Sequence, residues 1–306
     1  MKHYPIPQRL NLGVLLFLLI AWDALLAWCR TAHGPWQLAG LAAAFALVGN
    51  MIYIVMHEAE HGLLLKNRRL NDGAGVFLAA LFPGAFHLMR QGHLGHHQRN
   101  RSDDEAFDVY FPEDNDRPWK TLMFYGILLG WFYAITVFFN LILFLCPQVI
   151  RWRKAKVDRA TAALLESLNH RYLRLIRLEI LFAILLHAGL IFFLKLPALN
   201  YLLMYAAFGW AWSAVQYVHH YEAERDVLNG AHNLKIWRPI DWLLFNHNWH
   251  QVHHRHPTVS WLFLEKVGQR EAPQQQSFFK AFVRMWRGPQ PSQDHVENRH
   301  AGHLIR

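Results

Sequence analysis

Long apolar runs alternate with polar, histidine-rich segments along the chain. Four runs approach 20 residues, the length that a helix rising 1.5 Å per residue needs to cross the hydrocarbon core of a membrane. They predict spans over roughly residues 11–29, 37–56, 176–194 and 198–218. Short links join the first run to the second and the third to the fourth. The sequence therefore predicts an all-α membrane protein with about four transmembrane helices in two hairpins.

Two other apolar runs do not fit this scheme. Residues 121–146 are too short for two crossings, and one crossing would reverse the side of the segments that follow. Residues 74–88 are too short to cross and contain Pro83. We predict that both runs are interfacial or re-entrant, within a membrane domain of residues 1–262. Residues 263–306 are predicted to form an amphipathic segment, at "SFFKAFVRMWRG", and a polar C-terminal tail.

Positive charge indicates the orientation of the chain. The formal net charge is +9, and basic residues concentrate in residues 151–177, whereas the links "RTAHGPW" and "LKLPA" carry one each. The positive-inside rule then places the N-terminus, the basic segment and a histidine-rich cap on the cytoplasmic side. No small-residue cleavage site follows the first run, so we expect it to be retained as a span.

The same composition limits the classes of partner and cofactor. No soluble basic domain or stacking platform accompanies the charge, which argues against a nucleic-acid partner. The two cysteines, Cys29 and Cys146, predict neither a disulfide framework nor a thiolate-bound metal. The 21 histidines are therefore the candidate chemistry, because most of them lie in tight groups beside the apolar runs.

Three histidine boxes, "HEAEH", "HLGHH" and "HQVHH", have the spacing of metal ligands on helices. Residues three and four positions apart share a helix face, so each box can direct two or three imidazoles at one point. Eight imidazoles exceed the four ligands of a zinc ion and suffice for two metals. Imidazole without thiolate suits Fe, Zn, Cu or Ni. The predicted ligands of the boxes are His57, His61, His93, His96, His97, His250, His253 and His254.

Two alternatives use the histidines differently. "HEAEH" also matches the zinc-protease motif H-E-x-x-H, with Glu58 as general base, but that interpretation leaves the other two boxes without a role. A histidine-lined metal carrier would place ligands along a path within the spans. Isolated histidines such as His87 and His187 are expected to be interfacial polar residues.

The order of the boxes over residues 37–262 resembles the integral-membrane fatty acid desaturase and hydroxylase superfamily. This resemblance implies a non-haem di-iron centre at the cytoplasmic mouth of a four-span bundle, with O2 as co-substrate and an unactivated C–H bond of a lipid as the point of attack. Desaturation of a fatty acyl chain is the favoured reaction. Hydroxylation or ketolation of a lipid or carotenoid at the same site is the alternative.

The resemblance also extends the candidate site beyond the boxes. It implies a ninth ligand, for which His220 is favoured, with His219 beside it and Asn246 as a candidate to hold water or a metal. His247 and His256 fall outside the box positions of the family. Acidic residues commonly hydrogen-bond ligand imidazoles. The candidates for that role are Glu58, Asp103, Asp104, Asp108 and Glu222.

The electrons for such a reaction are expected from another protein. The sequence contains no haem domain, cysteine-rich ferredoxin run or glycine-rich dinucleotide loop, so a separate ferredoxin, rubredoxin or cytochrome is implied. The basic residues 151–177 could steer an acidic donor to the site. Anchoring to anionic lipid headgroups would explain the same charges.

Overall fold

The computed structural model describes residues 4–151, 159–301 and 303–305, and these residues are mostly helical. The helices are α1 (Gln8–Thr31), α2 (Gly34–Glu60), α3 (Arg68–Leu81), α4 (Phe86–Arg99), α5 (Arg117–Gly126), α6 (Phe132–Leu145), α7 (Arg159–Ser167), α8 (Leu173–Phe193), α9 (Ala198–Gln216), α10 (Arg238–Leu243), α11 (His250–Arg255), α12 (Trp261–Glu271) and α13 (Phe278–Met285). Two-residue strands β1 (Val109–Tyr110) and β4 (Gln290–Pro291) pair in parallel, as do β2 (Leu234–Lys235) and β3 (Gln276–Ser277).

The predicted all-α membrane fold is confirmed. By length and composition, the helices of the described residues that can cross a membrane are Gln8–Thr31, Gly34–Glu60, Arg117–Leu145 and His170–Phe193. Helix α9 forms over the fourth predicted span but is not among them, because Asn200, Tyr201 and Tyr205 reduce its apolar character. These three side chains are buried, since α9 packs against α2 inside the bundle.

Buried asparagines fix the two ends of the bundle. The Nδ2 group of Asn11 donates to the carbonyl of Leu64 at 2.8 Å, so α1 begins beside the segment that follows the first histidine box. The Nδ2 group of Asn200 donates to the carbonyl of Cys29 at 3.0 Å, so α9 begins beside the end of α1. The two short links therefore lie together at the end of the bundle opposite the boxes.

The two apolar runs outside the hairpin scheme are both broken helices. Residues 117–145 form α5 and α6, joined by a π-helical stretch (Ile127–Trp131) in which Gly130 has φ 112°, a conformation that favours glycine. Helices α3 and α4 meet at an angle of 98° across residues 82–85. Pro83 lies in that break and cannot continue the α3 hydrogen-bond ladder, because it has no backbone N–H. The interfacial or re-entrant placement of both runs stays a prediction.

The C-terminal segment packs against the rest of the chain. Helix α13 buries Ala281 and Met285 against Phe124 and Val218, and Ile305 is buried with its N–H donating to the carbonyl of Ser167. The boundary predicted at residue 262 therefore separates segments that are in contact, and it stays a prediction. In the basic segment 151–177, residues 152–158 lie outside the described residues.

Candidate metal centre

Four segments bring the box histidines together at one end of the bundle. Helix α2 carries His57 in its last turn, and His61 follows its end. Helix α4 carries the second box and α11 carries the third, while His220 lies just beyond the end of α9. The three boxes are far apart in sequence, so tertiary packing brings them together, and α2 packs against both α4 and α9.

The imidazoles form two groups. In cluster A, one ring nitrogen from each histidine lies within 4.8 Å of the others, and its members are His57, His61, His93, His97 and His253. Cluster B meets the same criterion with His96, His220, His250 and His254. Together they contain all nine histidines that were proposed as ligands, including His220. Their role as metal ligands stays a prediction.

The ring nitrogens of each group converge closely. In cluster A the Nε2 atoms of His61 and His93 are 2.7 Å apart, and those of His97 and His253 are 3.0 Å apart. In cluster B the Nε2 atoms of His220 and His250 are 3.1 Å apart. Imidazoles gathered this tightly, without a carboxylate or thiolate in either group, form a donor set suited to Fe, Zn, Cu or Ni.

We expected the imidazoles of each box to converge on a single point, but those of the second and third boxes are divided between the two clusters. His93 and His97 face cluster A, whereas His96 faces cluster B. His253 joins cluster A, whereas His250 and His254 join cluster B. Successive helical residues are rotated by about 100°, so an H-x-x-H-H box can serve two neighbouring points at once. The two clusters therefore share both boxes and form one structural unit.

Burial keeps the third-box imidazoles neutral. Desolvation holds the pKa of His250, His253 and His254 well below the ordinary histidine value, and neighbouring imidazoles lower each pKa further. Neutral imidazole is the form that binds metals. Both ring nitrogens of His57, Nδ1 of His250 and Nε2 of His254 are buried without a hydrogen-bond partner among the described residues. A bound metal would satisfy one nitrogen of His57 and Nε2 of His254, so the residues present fit metal ions.

A comparison with known families agrees with this site. A family model described as "Fatty acid desaturase" matches residues 34–285, a range that includes all three boxes and His220. The chain belongs to the fatty acid desaturase family. No curated protein matches it. Membership makes the chain an oxidoreductase of a family known for di-iron sites, and it accounts for two imidazole clusters beside apolar helices.

Two cluster B histidines of this desaturase-family protein are oriented by their second nitrogen. The Nδ1 group of His220 donates to the carbonyl of Gly230 at 2.8 Å. The Nδ1 group of His96 donates to Glu105 at 3.0 Å, and Glu105 also pairs with Arg99. Such bonds place the ring proton on Nδ1, so that Nε2 is unprotonated and its lone pair can bind a metal. Glu105 was not among the residues predicted from the sequence. Four acidic residues follow the second box closely, and nothing in their spacing distinguishes Glu105 from the other three.

The acidic residues proposed to bond ligand imidazoles have other partners. Asp103 accepts from Arg225 and from the N–H of Val296, and Asp104 accepts from Asn298. These contacts attach the C-terminal tail to the loop after α4, and none of them involves a box imidazole.

The other two acids stabilise the segment after α9. Asp108 accepts from the hydroxyl of Tyr217 at 2.7 Å and pairs with Arg101. Glu222 pairs with Arg284 of α13 at 3.1 Å. The described contacts of both carboxylates therefore lie away from the box imidazoles.

Glu58 also points away from the imidazoles. Its Oε2 accepts hydrogen bonds from the hydroxyl of Ser260 at 3.0 Å and from the N–H of Trp261 at 3.2 Å. These groups begin α12, where a carboxylate is favourable because the helix N-terminus is partly positive. Glu58 thus joins the first box to the segment after the third, and this contact replaces the proposed bond to an imidazole.

The remaining candidates are Asn246, which bonds the start of α12, and two histidines beside cluster B. The Nδ2 group of Asn246 donates to the carbonyl of Trp261, and its Oδ1 is buried without a described partner. His219 contacts the ring of His250 at a centroid distance of 4.7 Å. His247 falls outside the box positions of the family, but its ring lies 4.8 Å from that of His250, and burial lowers its pKa to about 4. His219 and His247 belong to neither cluster.

Proposed function

We propose that this protein is an O2-dependent di-iron oxidoreductase that desaturates a fatty acyl chain. The observation that carries the proposal is the pair of imidazole clusters, which share two boxes at the mouth of an apolar bundle. Two iron ions held by the nine imidazoles would supply activation of O2 and removal of hydrogen from an unactivated C–H bond. The protein supplies the neutral nitrogens, their orientation and a site of low water content.

The surroundings of cluster A support an apolar substrate. Tyr53 lies one helical turn before His57 on α2, and its ring contacts those of Phe82 and Trp212 at centroid distances of 5.7 and 5.1 Å. Phe82 and Trp212 belong to the buried apolar core of the bundle, and Tyr53 packs against that core. An acyl chain that enters from the membrane would meet apolar groups up to the metal site, whereas a polar substrate would lose its hydration there.

The contacts of Glu58 argue against the zinc-protease alternative. A general base of that class must activate a water bound to the metal. Here the carboxylate is engaged by Ser260 and Trp261, and the H-E-x-x-H histidines share cluster A with three histidines from other segments. The protease interpretation leaves those three without a function.

We further propose the orientation and the electron donor. The N-terminus of α1 lies at the same end as the clusters, and the positive-inside rule places that end in the cytoplasm. Within the described part of the basic segment, Arg171, Arg174 and Arg177 are exposed. They support docking of a separate acidic donor, a ferredoxin, rubredoxin or cytochrome.

Product analysis tests the proposed reaction. Lipids from cells that express the wild type, His254→Ala or His256→Ala are compared by mass spectrometry. His256 is the matched control, because it is in the same segment but bonds Glu271 instead of a cluster. We expect new double bonds in acyl chains with the wild type and His256→Ala, and their loss with His254→Ala. A hydroxyl or keto product would support the alternative reaction, and His254→Ala with wild-type product would contradict the metal site.

A further inference from the structure

Polar side chains within the apolar helices α6, α8 and α9 converge on the break between α3 and α4. Asn140 comes from α6, Glu179 and His187 from α8, and Tyr205 from α9. Asn140, Glu179 and Tyr205 are buried, and His187 is half-buried. An ionisable group within a membrane helix is costly and marks a functional position.

Two of these side chains complete the end of α3. A helix leaves its last four carbonyls without intrahelical partners. Those of Leu78 and Ala79 accept N–H groups of the turn at residues 82–84. The Nε2 group of His187 donates to the carbonyl of Ala80 at 2.8 Å, and the hydroxyl of Tyr205 donates to that of Leu81 at 3.0 Å. All four carbonyls are therefore satisfied.

The other two side chains complete the start of α4. The residue at its N-cap position is Ala85, whose side chain cannot accept a hydrogen bond. Instead, Oδ1 of Asn140 accepts from the N–H of Ala85 at 3.0 Å. Oε2 of Glu179 accepts from the N–H of His87 at 3.0 Å, and its Oε1 lies 2.5 Å from Nδ1 of the same residue. Two neighbouring helices thus provide the cap that the sequence of α4 lacks.

The break requires these partners because it is surrounded by apolar helices. Buried backbone groups must find partners within the protein, and Ala80, Leu81 and Ala85 at the break are all buried. The carboxylate of Glu179 is also favourable at the partly positive start of α4. These contacts give His87 and His187 specific structural roles in place of the interfacial role expected from the sequence.

Helix α4 connects this cap to the metal centre. It carries His93 and His97 of cluster A and His96 of cluster B, so a shift of its start would move ligand nitrogens of both clusters together. We propose that Asn140 and Glu179 are positioning residues, which fix α4 from outside and thereby set the second histidine box. This inference rests on the proposed iron centre for its effect on function.

The test combines iron affinity with amide exchange. Purified wild-type holoprotein in detergent is compared with Glu179→Leu, Glu179→Gln and the milder Asn140→Ala, using competition with a chelator and deuterium exchange of the amides at the start of α4. The matched control is Asn200→Leu, which removes a buried amide bonded to backbone carbonyls at the opposite end of the bundle.

We expect Glu179→Leu and Asn140→Ala to exchange faster at the start of α4 and to bind iron roughly tenfold more weakly, the effect typical of groups that orient ligands. Glu179→Gln keeps an acceptor for the N–H of His87, so it should recover most of both signals. Asn200→Leu should unfold at a lower temperature with neither change.

Wild-type iron affinity and wild-type exchange in Glu179→Leu and Asn140→Ala would overturn the inference. An equal loss of iron in Asn200→Leu would also overturn it, because general destabilisation would then suffice. A wild type without iron would instead contradict the proposed function, and the exchange measurement would still decide whether Asn140 and Glu179 hold α4.

Discussion

His96 donates a hydrogen bond from Nδ1 to Oε1 of Glu105 at 3.0 Å, although the two residues are nine positions apart. The bond crosses the end of α4 and directs Nε2 of His96 into cluster B. Glu105 also pairs with Arg99, so a charged pair supports the proposed ligand His96. Arg99 and the hydrogen bond from His96 lower the pKa of Glu105 although burial opposes them, which keeps the carboxylate ionised.

Removing the carboxylate of Glu105 should weaken the binding of iron at cluster B. We expect Glu105→Ala to lower iron affinity by about tenfold to 100-fold, because the orientation and basicity of His96 depend on the bond. Iron titration measures the effect. The matched control is Asp103→Ala, since Asp103 follows the same box but bonds Arg225 and Val296. Equal losses of iron in both variants would show that the bond to His96 has no special role.

The two clusters should lose metal separately. His61→Ala removes a nitrogen from cluster A, and His220→Ala removes one from cluster B. The iron content of each variant should fall from two ions per chain toward one. Activity should fall by about 100-fold or more, because both metals are required for the proposed chemistry. Iron analysis together with Mössbauer spectra, which should differ between the variants, checks this. If the His220→Ala variant still binds two iron ions per chain, His220 is not a metal ligand.

The Glu58→Gln variant distinguishes the proposed oxidoreductase from the zinc-protease alternative. Glutamine retains an oxygen that can accept from Ser260 and Trp261, so desaturation should stay within about tenfold of the wild type, as expected for a substitution that keeps a hydrogen bond. Glu58→Leu would leave both donors unpaired and should lower the free energy of unfolding by about 1–3 kcal/mol. Thermal unfolding and product formation are measured together. Complete loss of activity in Glu58→Gln, with normal stability and iron, would favour a general base.

The C-terminal tail should detach when Asp103 is removed. Its carboxylate accepts from the N–H of Val296 and from Nδ1 of His295, and it pairs with Arg225. We expect Asp103→Ala to increase tryptic cleavage after Arg299 severalfold with little change in iron content. Asp294→Ala, which changes the same charge at an exposed position, is the control. Cleavage at the wild-type rate would show that other contacts hold the tail.

The same attachment should depend on pH through His295. Hydrogen bonds from its ring to Asp103 and Glu113 raise the pKa of His295. A raised pKa means that this contribution to docking is complete below about pH 6.5, the ordinary value, and is lost as the pH rises through the higher folded-state value. Tryptic cleavage of the tail should therefore accelerate with pH over that window. His295→Gln should abolish this dependence, after correction for the pH profile of the protease on a free peptide.

The sequence determined the class of fold and the chemistry of the site. Apolar runs of membrane-crossing length predicted the helical bundle, because span length is fixed by the thickness of the hydrocarbon core. Local spacing within the boxes identified eight of the nine histidines that the two clusters contain, since helical periodicity acts over three or four residues, and the family resemblance added His220. Neither conclusion required knowledge of long-range packing.

Only the tertiary structure decided how those residues are divided and supported. The assignment of His96 and His97 to different clusters depends on the rotation of α4 relative to α11, which neighbouring residues do not encode. Glu105 beside His96, and Glu179 at the start of α4, are contacts across 9 and 92 positions. Which residues meet depends on where the helices pack against one another. Buried backbone and ring nitrogens need hydrogen-bond partners, and many acidic residues have a similar sequence context, so the sequence alone does not show which of them makes these contacts.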